Sequence, residues 1–413
     1  MSSEGSAPRR VIVLAHASVL DRGGYARRVL DAAATWRDAF PAAQVSVATV
    51  ESPRALRDPA ARAEVQRGLA SHGVDLHVVH GMPRRWGLAR FADGLAARAV
   101  ARLVVRSKAD LVHAHGPRAA RTALAAARRA GTATAVVVDV HGDRAAETRL
   151  ERGEADDTMT APDPAEVAAV AAAAGVLHAS PALAARFPAG AGRPSAVVPC
   201  LVDDARIPSD AAAETARVAA RRAWGLAGDE WVVAYAGSLA PWQELPRVAA
   251  IVRHAADRVP QLRVLVLTPA RAEAAALFAR AGLPRGTVVV ASPPSDAVVT
   301  TLAGADAAVL LRRPALANHL AFPTKLAEYL AAGLDVVASD ACPAVAAALA
   351  AAPGLGQVVA WTADDATWAA RVAGAARPAS AAERAARRAY ARRTLARSAA
   401  VEGYRRVGAF ARP

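Results

Sequence analysis

The chain reads as an α/β protein of two doubly wound, Rossmann-like domains, and three observations predict this. At 413 residues it is too long for one compact core and fits two domains of ordinary size. Short β-branched runs bounded by Gly, Pro or Asp alternate with Ala/Arg/Leu stretches of helical pattern, the signature of parallel sheets joined by crossover helices. The alternation also restarts near the middle of the chain.

In the first half, strands are expected at Val11 to Ala15, Val45 to Val50, Leu76 to Val79, Leu111 to Ala114, Ala135 to Val140, Val176 to Ala179 and Ala196 to Pro199. The second half repeats the pattern near Trp231 to Ala236, Arg263 to Leu267, Thr287 to Ala291, Ala307 to Leu311, Asp335 to Ala338 and Val358 to Trp361. Between them, Cys200 to Ile207 and the polar run Pro208-Ser209-Asp210 read as a hinge, with Pro199 and Asp203 shaping the approach to it. This divides the chain into residues 1–205, 206–378 and a tail, 379–413. The acidic run Glu151 to Asp157, followed by Pro162 and Pro164, reads as a surface loop. From Ala381 to Arg406 the tail reads as one Arg-rich helix whose apolar positions pack, with an anionic membrane surface as the alternative.

Composition narrows the function classes. Hydrophobic residues make up 54% and aromatics only 4%, alanine supplying much of the difference, as in a soluble, helix-rich protein. Net charge is +14 and is carried almost wholly by arginine. The arginines are scattered and no aromatic-plus-basic motif accompanies them, so a compositional bias explains the charge better than a nucleic-acid partner. Cys200 and Cys342 lie far apart with no metal-ligand spacing around either, which argues against a disulfide framework or structural zinc and for a reducing cytoplasm. The start, Arg9-Arg10 followed by Val11 to Leu14, is too short an apolar run for a signal peptide, and no segment approaches the about 20 apolar residues of a membrane span.

Candidate chemistry sits where strands end. After the first strand comes Asp21-Arg22-Gly23-Gly24-Tyr25, where paired glycines let backbone approach a ligand, although such a turn often needs glycine for geometry alone. His113 and His115 end one strand and His141 follows the next, with Asp143 beyond it. Residues just past the carboxyl ends of parallel strands line the ligand crevice. A lone histidine is more often a core residue than a catalyst, and His113 is read that way.

Residues 322–340 are the most informative stretch. Pro323 suits a first helical turn, Gly333 suits the left-handed residue after the last one, and Leu326, Tyr329 and Leu330 share a face. Lys325 and Glu328 share a neighbouring face, and a plain surface ion pair would account for them.

This stretch resembles the second-domain motif of the retaining glycosyltransferases of family 4 (glycosyltransferase group 1), and the resemblance extends to residues 110–116 and over most of the chain. It implies the GT-B architecture: an acceptor-side domain and a nucleotide-sugar domain facing a cleft, with a C-terminal helix crossing back to the first. In that family the Glu at the position of Glu328 holds the donor ribose, a task suited to a carboxylate that accepts from vicinal hydroxyls. His115 matches the histidine that reaches the transferred sugar, and His141 is the second catalytic candidate. With the resemblance and the strand-end positions taken together, the expected donor set is Gly23, Gly24, Gly237, Ser238, Gln243, Arg312, Phe322, Pro323, Thr324, Lys325 and Glu328.

Two departures stand out. Typical members carry an Arg and a Lys on the donor diphosphate where this chain has Ser238 and Gln243, and a Glu against the sugar where it has Leu320. Lys325 and either Arg312 or Arg313 are the expected replacements for that clamp. The implied activity is transfer of a hexose from a nucleotide diphosphate sugar to a hydroxyl acceptor, with retention, without metal or other cofactor, in surface polysaccharide or glycoconjugate synthesis. The acceptor expected is a saccharide or lipid-linked intermediate, with no nucleic acid as partner, and the place is the cytoplasm or the inner membrane face. The alternatives are a catalytically weakened binding partner and a nucleotide-sugar epimerase of the same architecture.

Overall fold

The structure, a computed structural model, describes residues 7–16, 24–51, 59–70, 73–80, 89–154, 160–226, 228–284 and 286–409. These gather into two compact units, one drawn from residues 1–143, 160–201 and 397–413, the other from 144–159 and 202–396.

The first unit holds a seven-stranded sheet of β1 (Arg10–Ala15), β2 (Gln44–Glu51), β3 (Asp75–His80), β4 (Leu111–His115), β5 (Ala135–Val140), β6 (Gly175–His178) and β7 (Ser195–Val197). Every pairing in it is parallel and the order is β3-β2-β1-β4-β5-β6-β7. The order reverses between β1 and β4, where Ala15 pairs with His115. Helices cover both faces, so strands such as β4 are buried throughout.

The second unit repeats the plan with six parallel strands: β8 (Trp231–Ala236), β9 (Leu262–Leu267), β10 (Val288–Ala291), β11 (Ala307–Leu310), β12 (Asp335–Ser339) and β13 (Gly356–Val359). Their order, β10-β9-β8-β11-β12-β13, reverses between β8 and β11. All thirteen expected strands form. The last lies two residues earlier than expected, because Gly356 comes so close to the Val336 carbonyl that a Cβ would sit 2.2 Å from it.

The expected hinge residues contain the boundary between units at Leu201/Val202, a 3-10 turn at Asp204–Arg206, and Ser209, whose hydroxyl caps the helix Asp210–Ala223. The tail is not one helix. It breaks after Thr394, where the Leu395 carbonyl accepts the Val202 N–H at 2.8 Å, and resumes as Val401–Gly408. The first piece turns Arg384, Arg387 and Arg388 inward against the second unit, and the last packs Tyr404 and Val407 into the first unit's core. Of the expected acidic loop, residues 155–157 lie outside the described residues.

Helix Thr324–Ala332 ends on Gly333, with φ of 85° and paired bonds from Gly333 N to Leu330 O and Leu334 N to Tyr329 O. This is a Schellman stop. A Cβ on Gly333 would lie 3.1 Å from the Arg384 carbonyl, besides straining the backbone. Gly333→Ala is therefore expected to cost at least about 1 kcal/mol, read as a lower midpoint in urea unfolding.

Candidate functional site

In the first unit the sequence candidates converge at the reversal of strand order. His115 ends β4, His141 follows β5, and their rings stack at 4.1 Å. Tyr25 meets the His115 ring edge-on at 4.8 Å, and its hydroxyl accepts the His16 N–H at 3.2 Å. Gly116, with φ of 94°, brings the start of helix Pro117–Ala130 beside His141, whose Cε1 would lie 3.5 Å from a Cβ there.

Behind the imidazoles lies an ion pair that has no local sequence signal. Arg28 donates through Nε and Nη2 to both oxygens of Asp139 at 2.8 Å, and its remaining N–H groups reach the carbonyls of Val198 and Pro199. Burial alone would raise the Asp139 pKa, but the guanidinium charge and its hydrogen bonds outweigh that and hold the carboxyl well below its ordinary range. Asp143 is likewise engaged, by Arg186 Nε at 2.6 Å.

Burial pushes the three imidazoles the other way. His115 falls well below the ordinary histidine value through burial and the neighbouring His141, with Asp139 opposing in part. His141 is lowered by burial, and His113 is lowered to about 4 by the same cause. His115 Nδ1 lies 3.4 Å from Asp139 Oδ2, close enough for attraction but not aligned as a hydrogen bond. His113 is a core residue, as expected from sequence, packed between Trp36 and Tyr404, yet neither of its ring nitrogens has a hydrogen-bond partner among the described residues.

His113, His115 and Asp139 also form the group of potential metal ligands found among the described residues, their ligand atoms within 4.8 Å of one another. Both oxygens of Asp139 already accept from Arg28, so a cation there would sit beside a guanidinium and meet its charge. The trio suits a buried ion pair better than a metal.

In the second unit the candidates again cluster at the strand-order reversal. Gly237 follows β8, and a Cβ on it would lie 2.4 Å from Gln243 Oε1, so this glycine is what lets Gln243 fold over the strand end. Gln243 Nε2 donates to Ser238 Oγ at 2.8 Å, while Tyr235 OH donates to the Ser238 carbonyl at 2.6 Å and toward Gln243 Oε1 at 3.1 Å. Arg312, just past β11, joins this network through Nη1 to Gln243 Oε1 at 3.1 Å.

Pro323 stands one place before the first helical turn, Thr324 opens the helix without capping it by its side chain, and Phe322 is buried. Glu328 is buried at 6% exposure and its oxygens face two cations, Lys325 Nζ at 2.9 Å and Arg206 Nη2 at 3.4 Å. Arg206 gives no sign of this role in the sequence, lying 122 residues upstream in the hinge. Next to Glu328, Tyr329 OH accepts the Ala236 N–H at 2.9 Å, tying the helix to the end of β8. Of the three cations expected to replace the diphosphate clamp, Lys325 is engaged by Glu328 and Arg313 lies 3.8 Å from Glu244, which leaves Arg312. Gly24 begins the helix Gly24–Ala39, while Gly23 lies outside the described residues.

The lowered histidines make the first unit acid-sensitive. Their pKa values are lower folded than unfolded, so the unfolded chain binds more protons below about pH 6.5, and stability falls with pH until the folded value is reached, about 4 for His113. Each such histidine contributes a slope of up to about 1.4 kcal/mol per pH unit in that window. Urea unfolding at pH 7.5 and pH 5 is expected to show the loss, and His113→Met is expected to flatten it.

Comparisons with known proteins bear on the family and the fold. Residues 23–200 match the family described as glycosyl transferase 4-like domain. No curated protein matches the chain by sequence. Among solved structures, HepE of Anabaena, crystallised with UDP, is similar at 17% identity with a TM-score of 0.67, over 95% of this chain and 97% of that one. Sucrose-phosphate synthase of Thermosynechococcus elongatus is similar at 15% identity and a TM-score of 0.68, over 95% and 96%. WaaG, a glycosyltransferase involved in lipopolysaccharide biosynthesis, is similar at 16% identity and a TM-score of 0.59, over 95% and 98%. Residues 23–200 thus match the glycosyl transferase 4-like domain family, and the chain as a whole has the GT-B fold.

Proposed function

We propose that the protein transfers a hexose from a nucleotide diphosphate sugar to a hydroxyl acceptor, with retention and without a metal. The observation that carries this reading is Glu328: a buried carboxylate held in place by Arg206 and Lys325, on the helix that Tyr329 ties to the end of β8. Two cations on its oxygens fix the carboxylate's position and orientation, as an acceptor for vicinal ribose hydroxyls requires. HepE is described in complex with UDP and with UDP-glucose, which supports a nucleotide sugar as the ligand class.

His115 and His141 are the groups for the transferred sugar and its surroundings, with His115 offering a neutral imidazole to a sugar hydroxyl. Gly237 adds close backbone approach, and Phe322, Pro323 and Thr324 set the entry to the Glu328 helix. No protein nucleophile is invoked: the bond from the sugar to the diphosphate breaks as the acceptor oxygen bonds from the same face, the acceptor's hydroxyl proton passes to the departing diphosphate oxygen, and fixed cations and amides neutralise the leaving group. The acceptor is a saccharide or lipid-linked intermediate of a surface polysaccharide, met in the cytoplasm or at the inner membrane face. The involvement of WaaG in lipopolysaccharide biosynthesis supports that class. No helix among the described residues is long and apolar enough to cross a membrane.

One observation favours a second reading, binding without turnover. Leu320, which stands where the family has a carboxylate against the sugar, is buried and apolar. Incubation with UDP-, GDP-, ADP- and TDP-linked hexoses separates the two, since release of nucleoside diphosphate requires turnover. Glu328→Gln keeps the shape and removes the charge. It is expected to weaken binding of the cognate donor about tenfold or more in calorimetric titration, and an unchanged affinity would sink the ribose role.

A further inference from the structure

Five arginines are buried among the described residues: Arg221, Arg312, Arg384, Arg387 and Arg388. Four of them face a carboxylate, Arg221 at 3.6 Å from Asp306, Arg384 at 2.6 Å from Glu214, Arg387 at 2.9 Å from Asp335 and Arg388 at 2.9 Å from Asp210. Arg312, at 8% exposure, has none among the described residues. Burying a guanidinium without a counter-charge is strongly unfavourable.

Arg312 is nevertheless held firmly, along one edge only. Its Nη1 donates to Gln243 Oε1 at 3.1 Å and to the Leu311 carbonyl at 3.3 Å. Its own N–H and carbonyl are clasped by Ser339 Oγ at 3.0 and 2.7 Å. Nε and Nη2, the other edge of the fork, donate to no protein atom among the described residues. Such an edge presents parallel N–H groups in the spacing of two phosphate oxygens.

The support beneath it is also arranged for a cation. A guanidinium has no acceptor, so the Gln243 amide must face it with oxygen, and Nε2 then points to Ser238 Oγ, as observed at 2.8 Å. The ionisable side chains on which its charge acts, Tyr235, Tyr329 and Cys342, are all pushed up by burial, to about 12 for Tyr235 and about 11 for Cys342, and are neutral at pH 7, so they supply no negative charge. Arg312 and Gly237 follow the two strands between which the order of the sheet reverses, the place where α/β sheets take ligands.

We propose that Arg312, oriented by Gln243, is the cation that takes the diphosphate of the donor, in place of the basic pair that family resemblance puts at positions 238 and 243. The inference rests on the donor reading above and gives the two departures a common cause. A lysine at 243 would set a second cation beside Arg312 in a desolvated site, whereas an amide oxygen there attracts the guanidinium and Ser238 completes the amide's hydrogen bonds. The cation has changed strands, from the loop after β8 to the end of β11.

The decisive variant is Gln243→Glu, which hands Arg312 the carboxylate it lacks at nearly the same size. A purely structural Arg312 predicts an equal or higher Tm and no effect on ligands. Our proposal predicts the same Tm behaviour with affinity for nucleoside diphosphates lowered about tenfold or more, while affinity for the free nucleosides changes less than about twofold. Calorimetric titration of the full chain with UDP, GDP, ADP and TDP and their nucleosides reads this, and Arg312→Met is expected to show the same loss. If Gln243→Glu and Arg312→Met bind diphosphates like the wild type while Glu328→Gln does not, the proposal falls and the donor reading stands. If the wild type binds none of the four at millimolar concentration, both fall. Should Arg312→Met fail to fold, Gln243→Glu decides alone.

Discussion

A guanidinium can be buried only where something answers both its charge and its N–H groups, and much of this protein is organised around that constraint. Arg28 ties Asp139 to the backbone leaving β7, Arg217 and Arg221 converge on Asp306, and Arg387 joins Asp335 to the carbonyls of Gly333 and Gly354. Each links segments far apart in sequence. Each such pair takes one cation and one carboxylate off the surface together, so the net charge of +14 stays while fewer of the arginines behind it are displayed. The tail illustrates this: the charges that suggested an anionic surface as its partner include Arg384, Arg387 and Arg388, all of which point inward.

The second constraint is the parallel sheet itself. Strands buried on both faces leave no room for polar side chains except where each strand ends, so chemistry collects at the carboxyl ends, and most openly where neighbouring strands run to helices on opposite faces. His115 and His141 occupy that position in one unit, and Gly237, Gln243 and Arg312 in the other. The two sets differ in how they deal with burial. Burial disfavours protonation of the histidines, whereas Glu328 is paired with Arg206 and Lys325.

This explains which parts could be read from sequence. Strands were legible because β-branched runs between turn residues carry their own period, and the Glu328 helix because Pro323 and Gly333 bracket it. Position 356 went astray because a glycine dictated by the neighbouring strand's carbonyl looks like a turn when read alone. The break at Leu395 was hidden for a similar reason: nothing in the Arg/Ala pattern shows that Val202 needs a carbonyl there. Arg28 and Arg206 were missed outright, being 111 and 122 residues from the carboxylates they face. Local pattern says which residues could ionise, but only the fold says which of them has an answering charge.

That distinction also limits what His115 can do. An Asp beside a His usually raises the basicity of the imidazole by stabilising its charged form. Here Asp139 is near enough to His115 to oppose burial in part, but Arg28 is bound to both its oxygens and its charge works against that pull. His115 is left with burial and a neighbouring imidazole, both of which disfavour protonation. A ring in that state carries one donor and one acceptor at pH 7 and no charge. It can hold a hydroxyl in a fixed orientation and is unsuited to proton donation to a leaving group, which fits the proposed reaction, in which fixed cations and amides meet the leaving diphosphate.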